Sequence, residues 1–263
     1  MDQTQDTSHL VLDETPLPGV RICILNRPTK RNALSQGLID QLLLQLRLAE
    51  KDHGISSIII TGSGNFFSAG ADIKEISQLD AESAHQRRYL EDLCNGMRSV
   101  HKPIIAAVEG KALGGGFELA LMADFIVATA DVEFGLPEVT IGLIPGAGGT
   151  QRLTSAIGKY RAMKLILLNE PLSGIEAFNL GLVSRLAESG QALEGAMELA
   201  KKLASQSPSA IRLAKEAICK ADESGQDQAF ERSLYYQAFG TKDKREGVAA
   251  FLEKRDPVWN QLS

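Results

Sequence analysis

Two glutamates lie in apolar stretches of the sequence. Such a pair could perform acid–base chemistry. Glu118 follows three glycines, residues 114–116, and lies beside Phe117 in a predicted first helical turn. Glu138 follows Pro137 in an equally apolar stretch. A buried carboxylate needs hydrogen-bond partners or a raised pKa. Around one water, one glutamate could accept a proton while the other delivers a proton to carbon.

Each glutamate also has a structural interpretation. Glu118 could cap the N-terminus of its own helix, which is a common stabilising use of an acid in a first turn. Glu138 could be a structural side chain held in a salt bridge. The residues alone leave both alternatives open until the two carboxylates are shown to meet in space.

The glycine-rich segment 112–118 follows the predicted strand Ile104–Val108 and precedes a predicted helix. In that geometry, unpaired N–H groups and the positive end of the helix dipole point at a ligand, which suits an oxyanion. The spacing is not GxGxxG, and no Gly-Lys-Ser/Thr follows. The segment is therefore neither a dinucleotide fingerprint nor a P-loop.

Two other segments are less specific. Residues 66–74 carry small side chains at positions 68–71, which would let a ligand approach the backbone, although an ordinary tight loop before a helix near Asp72 is the favoured interpretation of this segment alone. Residues 142–153 are rich in glycine and could face a ligand or only reverse the chain before a helix near Ser155. We interpret their individual residues as structural.

The hydrophobic pattern predicts an α/β fold that ends in helices. Strands are predicted around Val20–Ile24 and Ser57–Thr61, with a helix between them that begins after Ser35 as its N-cap, and a second helix is predicted over Ser83–Arg98. From about residue 200 only helices are predicted, over Ala192–Ala204, Ala210–Lys220, Gln226–Phe239 and Lys244–Glu253. The predicted domains are a catalytic core, 1–200, and a helical region, 201–263, that packs on another part of an assembly.

Composition excludes several classes of function. A net charge of −5 over 263 residues argues against a general nucleic-acid binder. Three dispersed cysteines and four histidines without ligand spacing suggest neither a disulfide framework nor a metal site. Residues 1–12 resemble a frayed tail rather than a targeting signal, and no apolar run reaches the ~20 residues that cross a membrane. The expectation is a soluble intracellular protein, with the cytoplasm favoured over mitochondria or peroxisomes.

Four segments together resemble the enoyl-CoA hydratase/isomerase family, also called the crotonase superfamily. They are FFSAGADIKE, EGKALGGGFELALMADF, FGLPEVTIGLIPGAGGTQRL and TKDKREGVAAFLEKR, and the match spans nearly the whole chain. The resemblance implies a spiral of β-β-α turns followed by a C-terminal helical region. It also implies an enzyme that adds water across the 2,3 double bond of a 2-enoyl-CoA.

The resemblance assigns roles to four positions. The backbone N–H groups of Ala69 and Gly115 would form the oxyanion hole for the thioester carbonyl. Glu118 would activate water for attack on C3, and Glu138 would supply the proton at C2. Family members that only isomerise double bonds usually lack the first of these acids, so hydration is favoured over isomerisation.

The substrate's coenzyme A is anionic, and the chain must present it with local cations. Apart from that coenzyme A no cofactor is implied, and the expected partners are the acyl-CoA thioester and further copies of the chain in a homotrimer or homohexamer, with no nucleic acid and no membrane. Candidate cations near the C-terminus, besides the expected contact Lys254, are Lys242, Lys244, Arg245 and Arg255. The residues expected to contact substrate or coenzyme A are Lys30, Arg31, Ala71, Asp72, Ile73, Leu113, Phe117, Leu136, Phe251 and Lys254.

Two alternatives remain at the level of sequence. One is an enoyl-CoA isomerase of the same superfamily. The other is a non-catalytic member that binds coenzyme A or RNA, against which the intact pair Glu118 and Glu138 argues. The helix after Ser35 has only Arg47 and Lys51 as cations, which disfavours RNA binding.

Overall fold

A six-stranded sheet forms the central layer of the protein. The structure, a computed structural model, describes residues 9–223 and 228–258. In this sheet β1 pairs antiparallel with β2 and all other neighbours are parallel, in the order β1-β2-β3-β4-β6-β9. The strands are β1 (Val11–Leu17), β2 (Gly19–Leu25), β3 (Ile55–Gly62), β4 (Ile104–Val108), β5 (Lys111–Leu113), β6 (Phe125–Thr129), β7 (Glu133–Gly135), β8 (Leu172–Ser173) and β9 (Arg185–Ala187).

A smaller sheet of β5, β7 and β8 carries the glycine-rich segment. β5 pairs parallel with β7, and β7 pairs antiparallel with β8. β5 ends at Leu113, directly before the three glycines, and its partner β7 ends at Gly135, three residues before Glu138. The pairing of two short strands therefore brings both glutamate-bearing segments to the same edge.

The helices lie between and around these strands. They are α1 (Gln36–Lys51), α2 (Ile73–Ser77), α3 (Ala81–Gln86), α4 (Glu91–Arg98), α5 (Gly115–Leu121), α6 (Gly149–Ile157), α7 (Lys159–Leu167), α8 (Gly174–Asn179), α9 (Ala192–Ala204), α10 (Pro208–Glu223), α11 (Gln228–Phe239) and α12 (Lys242–Glu253). Short 3-10 helices span Pro28–Lys30 and Glu138–Ile141. Within the described ranges no helix is both long and apolar enough to cross a membrane.

The α1 helix forms for the reasons that its sequence suggests. The Ser35 side chain caps it by accepting the Leu38 N–H at 3.4 Å, as predicted. Its apolar stripe is buried against the sheet, and full burial of one leucine or isoleucine side chain contributes about 1.5–3 kcal/mol. The buried residues of this stripe are Leu38, Ile39, Leu42, Leu43, Leu46 and Ala49.

The C-terminal helices pack against the sheet and its apolar core. Alanines 192, 196 and 200 of α9 pack against strands β2, β3, β4 and β6, so the predicted boundary at residues 200/201 falls inside a helix that covers the sheet. Tyr235 and Phe239 of α11 and Val248 of α12 belong to the main apolar cluster. As predicted, the described residues from 201 onward form no strand.

The single helix predicted over Ser83–Arg98 is wrong. The chain breaks between α3 and α4, where Arg88 and Leu90 adopt positive φ angles of 49° and 65°. The break exposes the Tyr89 carbonyl, which accepts hydrogen bonds from Arg232 and Tyr236 of α11, both at 3.2 Å. Contacts distant in sequence therefore override a continuous helical pattern.

The predicted frayed tail is also wrong where it overlaps β1. Val11 is buried and pairs with Leu25 of β2, while residues 1–8 lie outside the described residues. The strand Ile104–Val108 and the helix Ala192–Ala204 begin and end as predicted. The other C-terminal helices agree within a few residues, with Pro208 opening α10 as its first residue.

Candidate active site

Glu118 is positioned by the turn from β5 into α5. Gly114 makes this turn with φ at +53°, a conformation that favours glycine, and its N–H donates to Gly135 O at 2.9 Å. The side chain of Glu118 then points into the interior, and the residue is 2% exposed. A carboxylate so placed cannot rely on water for its hydrogen bonds.

The glycine-rich segment after Glu138 supplies those hydrogen bonds. Oε1 of Glu118 accepts the N–H groups of Ala147 and Gly149, each at 2.8 Å. A Cβ on Gly149 would lie 2.7 Å from the same oxygen, so the close approach requires glycine. Glu118 therefore bonds to a different loop, which contradicts the alternative that it caps its own helix.

Burial governs the protonation of Glu118. Burial and, after it, the nearby charge of Glu231 raise its pKa from 4.5 to about 7, against the lowering effect of the two N–H donors. The group can therefore change its charge near neutral pH, as a general base must.

Glu138 begins the 3-10 helix 138–141, and its carboxyl group points at the glycine turn. A Cβ on Gly114 would lie 3.0 Å from its Oε1, while its Oε2 is buried without a hydrogen-bond partner. Within the described ranges it forms no ion pair, so the salt-bridge alternative is contradicted. Burial raises its pKa well above 4.5, and the Glu118 charge raises it further.

The two glutamates thus share one site with divided roles. Each charge disfavours ionisation of the other, so the pair titrates in two steps. Two N–H donors favour the charged form of Glu118, whereas Glu138 Oε2 has no donor, so the hydrogen bonds favour Glu118 as the carboxylate that ionises. This division provides one base and one acid at neutral pH.

A backbone loop, residues 66–71, lies against the same turn. Leu113 N–H donates to Ser68 O at 2.9 Å, and a Cβ on Gly70 would lie 3.0 Å from Gly115 N. Gly70 itself has φ at +89°. The two glycine positions therefore allow two backbones to touch, and Gly115, as the first residue of α5, has an N–H without an intrahelical acceptor.

The structure contradicts Ala69 as the second oxyanion donor. Its N–H donates to Arg31 O at 2.9 Å, so this group is already paired within the protein. Ala71 fits instead. On one side of this segment the Leu34 N–H donates to Gly70 O, and the Leu34 carbonyl accepts the Asp72 N–H. The Ala71 N–H therefore points to the other side.

The Ala71 N–H faces the turn that carries Gly115. Its nitrogen lies 3.4 Å from the position that a Cβ on Gly115 would take, and among the described residues no acceptor pairs with it. Free N–H groups on Ala71 and Gly115 are therefore adjacent and close to Glu138. Two converging donors of this kind can bind an oxyanion.

The other predicted substrate contacts fall into groups. Lys30 and Arg31 are exposed beside the 66–71 loop, with the Arg31 guanidinium 5.3 Å from the Phe66 ring centroid. Ile73 and Leu113 are partly buried next to the two backbone donors, whereas Phe117 and Leu136 are fully buried in the apolar core. Phe251 and Lys254 are exposed at the end of α12.

Three charged residues named from the sequence, as a predicted contact or as candidate cations, have structural partners. Asp72 caps α2 and forms an ion pair with Arg27 at 3.0 Å. Lys244 is buried and donates to Ile76 O and Leu79 O at 2.8 and 2.6 Å, so it is wrong as a candidate for a phosphate contact. Arg255 is paired with Glu246.

Sequence reasoning missed the residues that hold Glu118. The Ala147 and Gly149 amides and the buried Glu231 carry no motif of their own, because amide direction and a distant helix contact are tertiary facts. The one available signal was the glycine density of residues 142–149.

A family model described as enoyl-CoA hydratase/isomerase matches residues 18–262. The chain belongs to the enoyl-CoA hydratase/isomerase family. The predicted family and its α/β crotonase-like fold with a helical C-terminal region are confirmed.

Similar proteins agree with this membership over most of their length. A probable mitochondrial enoyl-CoA hydratase of Dictyostelium discoideum is 44% identical over 243 residues, which are 92% of this chain and 87% of that protein. The 2,3-dehydroadipyl-CoA hydratase of Escherichia coli is 44% identical over 90% of this chain and 94% of its own. The crystal structure of an enoyl-CoA hydratase from Bacillus anthracis superposes with a TM-score of 0.75 at 38% identity, covering 95% of this chain and 98% of the other.

Proposed function

We propose that this family member is an enoyl-CoA hydratase, which adds water across the 2,3 double bond of a 2-enoyl-CoA to give a 3-hydroxyacyl-CoA. The observation that carries the proposal is the convergence of two buried glutamates with two free backbone N–H groups. The similarity to proteins named enoyl-CoA hydratase supports the substrate class. The reaction as proposed uses no metal or redox cofactor. The coenzyme A is part of the substrate.

The mechanism follows from the two protonation states. Ionised Glu118 accepts a proton from a water as that water attacks C3 of the enoyl group. Glu138 starts protonated and delivers its proton to C2, so that one water is added in total. The proton that Glu118 has taken from water must return to Glu138 before the next turnover. The two N–H donors at Glu118 and the missing donor at Glu138 Oε2 support this division of roles.

Attack at C3 moves electron density onto the thioester oxygen. The Ala71 and Gly115 N–H groups are suited to stabilise that charge, since both are held rigidly before substrate arrives. Loss of one donor of this type typically raises the barrier by about 3 kcal/mol. Water-excluding burial strengthens the effect.

Hydration is favoured over isomerisation by Glu118. Moving a double bond needs one group that removes and returns a proton on carbon, whereas adding water needs a second group to activate the water. Glu118 is buried, held by two N–H donors and able to ionise near pH 7, which suits that second task.

For the assembly, a homotrimer or homohexamer is proposed. Helices α7 and α8 and the residue after α7 leave large apolar side chains exposed, as is typical of surfaces that associate. Size-exclusion chromatography with light scattering tests this, and a monomer at micromolar concentration would contradict it. The exposed side chains are Tyr160, Met163, Leu167, Leu168, Ile175 and Phe178.

The test of the function is loss of the 2-enoyl absorbance of crotonyl-CoA. Wild type should turn over, and Glu118→Gln and Glu138→Gln should each lower kcat by about 10²- to 10⁴-fold, since each removes an acid–base group without removing its volume. Glu198→Gln changes an exposed glutamate on α9 and serves as the matched control. A wild type inert on short and long 2-enoyl thioesters would refute hydration.

A further inference from the structure

Four consecutive backbone N–H groups divide between two carboxylates in alternation. Ala147 and Gly149 donate to Glu118, whereas Gly148 and Thr150 donate to Glu231 at 2.6 and 2.8 Å. The Thr150 hydroxyl adds a third bond to Glu231. One short stretch of backbone is therefore held from two opposite sides.

Glu231 reaches this stretch from the C-terminal region. It lies on α11, 81 residues beyond Thr150, and is 2% exposed. Both of its oxygens receive donors from the loop. A buried carboxylate satisfied in this way fixes the donors that surround it.

The loop needs such an external partner. Gly148 precedes α6 with φ at +95° and provides no side-chain cap, so the first N–H groups of that helix lack a local acceptor. Glu231 supplies the acceptor for Thr150, and its hold on Gly148 sets the direction of the two neighbouring amides. Those neighbours are the donors to Glu118.

We propose that Glu231 is a positioning residue for the hydration step: it holds residues 147–150 so that the amides of Ala147 and Gly149 fix the carboxylate of Glu118 toward the attacking water. This inference rests on the proposed function. Both Glu231 oxygens bond to the loop, so the residue acts through Glu118.

The charge of Glu231 supports a role beyond capping. A helix N-terminus can be capped by Ser, Thr, Asn or Asp from its own chain end. A buried negative charge beside a catalytic base is a more costly solution, and it raises the pKa of Glu118. A structural cap alone would not require a carboxylate that influences the base.

The test compares Glu231→Gln with Glu198→Gln in the intact enzyme, with crotonyl-CoA as substrate. The amide side chain keeps the volume of Glu231 but places N–H donors against the loop amides. A displacement of about 1 Å at the base can cost about 10²-fold, so we expect kcat to fall about 10- to 100-fold. KM should stay within about threefold, since the binding contacts are unchanged. Glu198→Gln should match wild type.

A double-mutant cycle separates positioning from general destabilisation. In a Glu118→Gln background, Glu231→Gln should change the residual kcat by less than about twofold, because the group through which it acts is absent. An equal fall in both backgrounds would overturn the proposal, and so would a folded Glu231→Gln enzyme with wild-type kcat. An inert wild type would instead refute the proposed function.

A milder variant covers the case in which Glu231→Gln does not fold. Thr150→Val removes the hydroxyl that donates to Glu231 and accepts from Gln151 Nε2, and it keeps the shape of the side chain. Its kcat should fall about threefold or more in wild type and be unchanged in the Glu118→Gln background. A wild-type kcat in Thr150→Val would overturn the proposal.

Discussion

The two glutamates are chemically alike and are made different by their surroundings. Glu118 receives two N–H donors on one oxygen, which favour its charged form, whereas one oxygen of Glu138 is buried without a partner. Burial raises both pKa values, and only in Glu118 do the two loop N–H donors act against that rise, which leaves its pKa at about 7. The difference between base and acid therefore arises from backbone amides in a glycine loop.

This difference predicts a bell-shaped pH dependence of kcat/KM. Activity should rise as Glu118 ionises near pH 7 and fall at higher pH as Glu138 loses its proton. Initial rates with crotonyl-CoA from pH 5.5 to 10 would measure both limbs, with Glu198→Gln keeping the same profile. A flat profile between about pH 6 and 8 would contradict the assignment.

At the level of helices and strands, the accuracy of the sequence predictions depends on where the determining contacts lie. β4 and α9 were predicted to the residue, since the hydrophobic pattern of each segment is a local signal. The break at Arg88–Leu90 depends on α11, and the pairing of the Ala69 N–H depends on Arg31. Such contacts leave no periodicity, so the corresponding predictions failed.

The candidate site divides in the same way. Glu118, Glu138 and Gly115 were found because their residue types and the family resemblance point to them. Ala71 was named as a substrate contact but not as the donor, because the N–H directions at Ala69 and Ala71 are set by the local backbone of this loop, where Gly70 between them has φ at +89°, and no sequence pattern reports them. Glu231 appeared as one more acid on a helix.

Lys244 provides a prediction about how α12 is attached. Burial lowers its pKa, and its ammonium group holds two carbonyls of the segment that begins in α2. Lys244→Met should lower the free energy of unfolding by about 1–3 kcal/mol, because these carbonyls lose a buried donor. Urea unfolding checks this, with exposed Lys242→Met as control. A KM rise in Lys244→Met without loss of stability would restore the coenzyme A role.

Across the chain as a whole, the site weakens the fold that carries it. The folded state holds the Glu118 proton more tightly than the unfolded state, so its contribution to stability is present below pH 4.5 and is lost as pH rises toward 7. Glu138 acts in the same direction. The apolar core and the helices that close over the site offset this loss of stability.

Stability should therefore respond to pH through these two residues. The free energy of unfolding of a Glu118→Gln, Glu138→Gln double variant should gain on wild type by roughly 3 kcal/mol or more between pH 4.5 and 8, counted from the Glu118 shift at 1.36 kcal/mol per pH unit. Urea unfolding at both pH values and at equal protein concentration measures this. Parallel changes in the two proteins would contradict it.

The alternating amides of residues 147–150 also affect whether a shortened or fused chain can keep this activity. Every group proposed to react with water or substrate precedes residue 140, yet the loop that orients Glu118 is held by α11, near the other end of the chain. A gene fusion or a minimal enzyme that kept only the first 200 residues would carry the complete chemistry without its alignment. Shortening or swapping the helical end is therefore an intervention in the reaction itself, even though no reacting atom is removed.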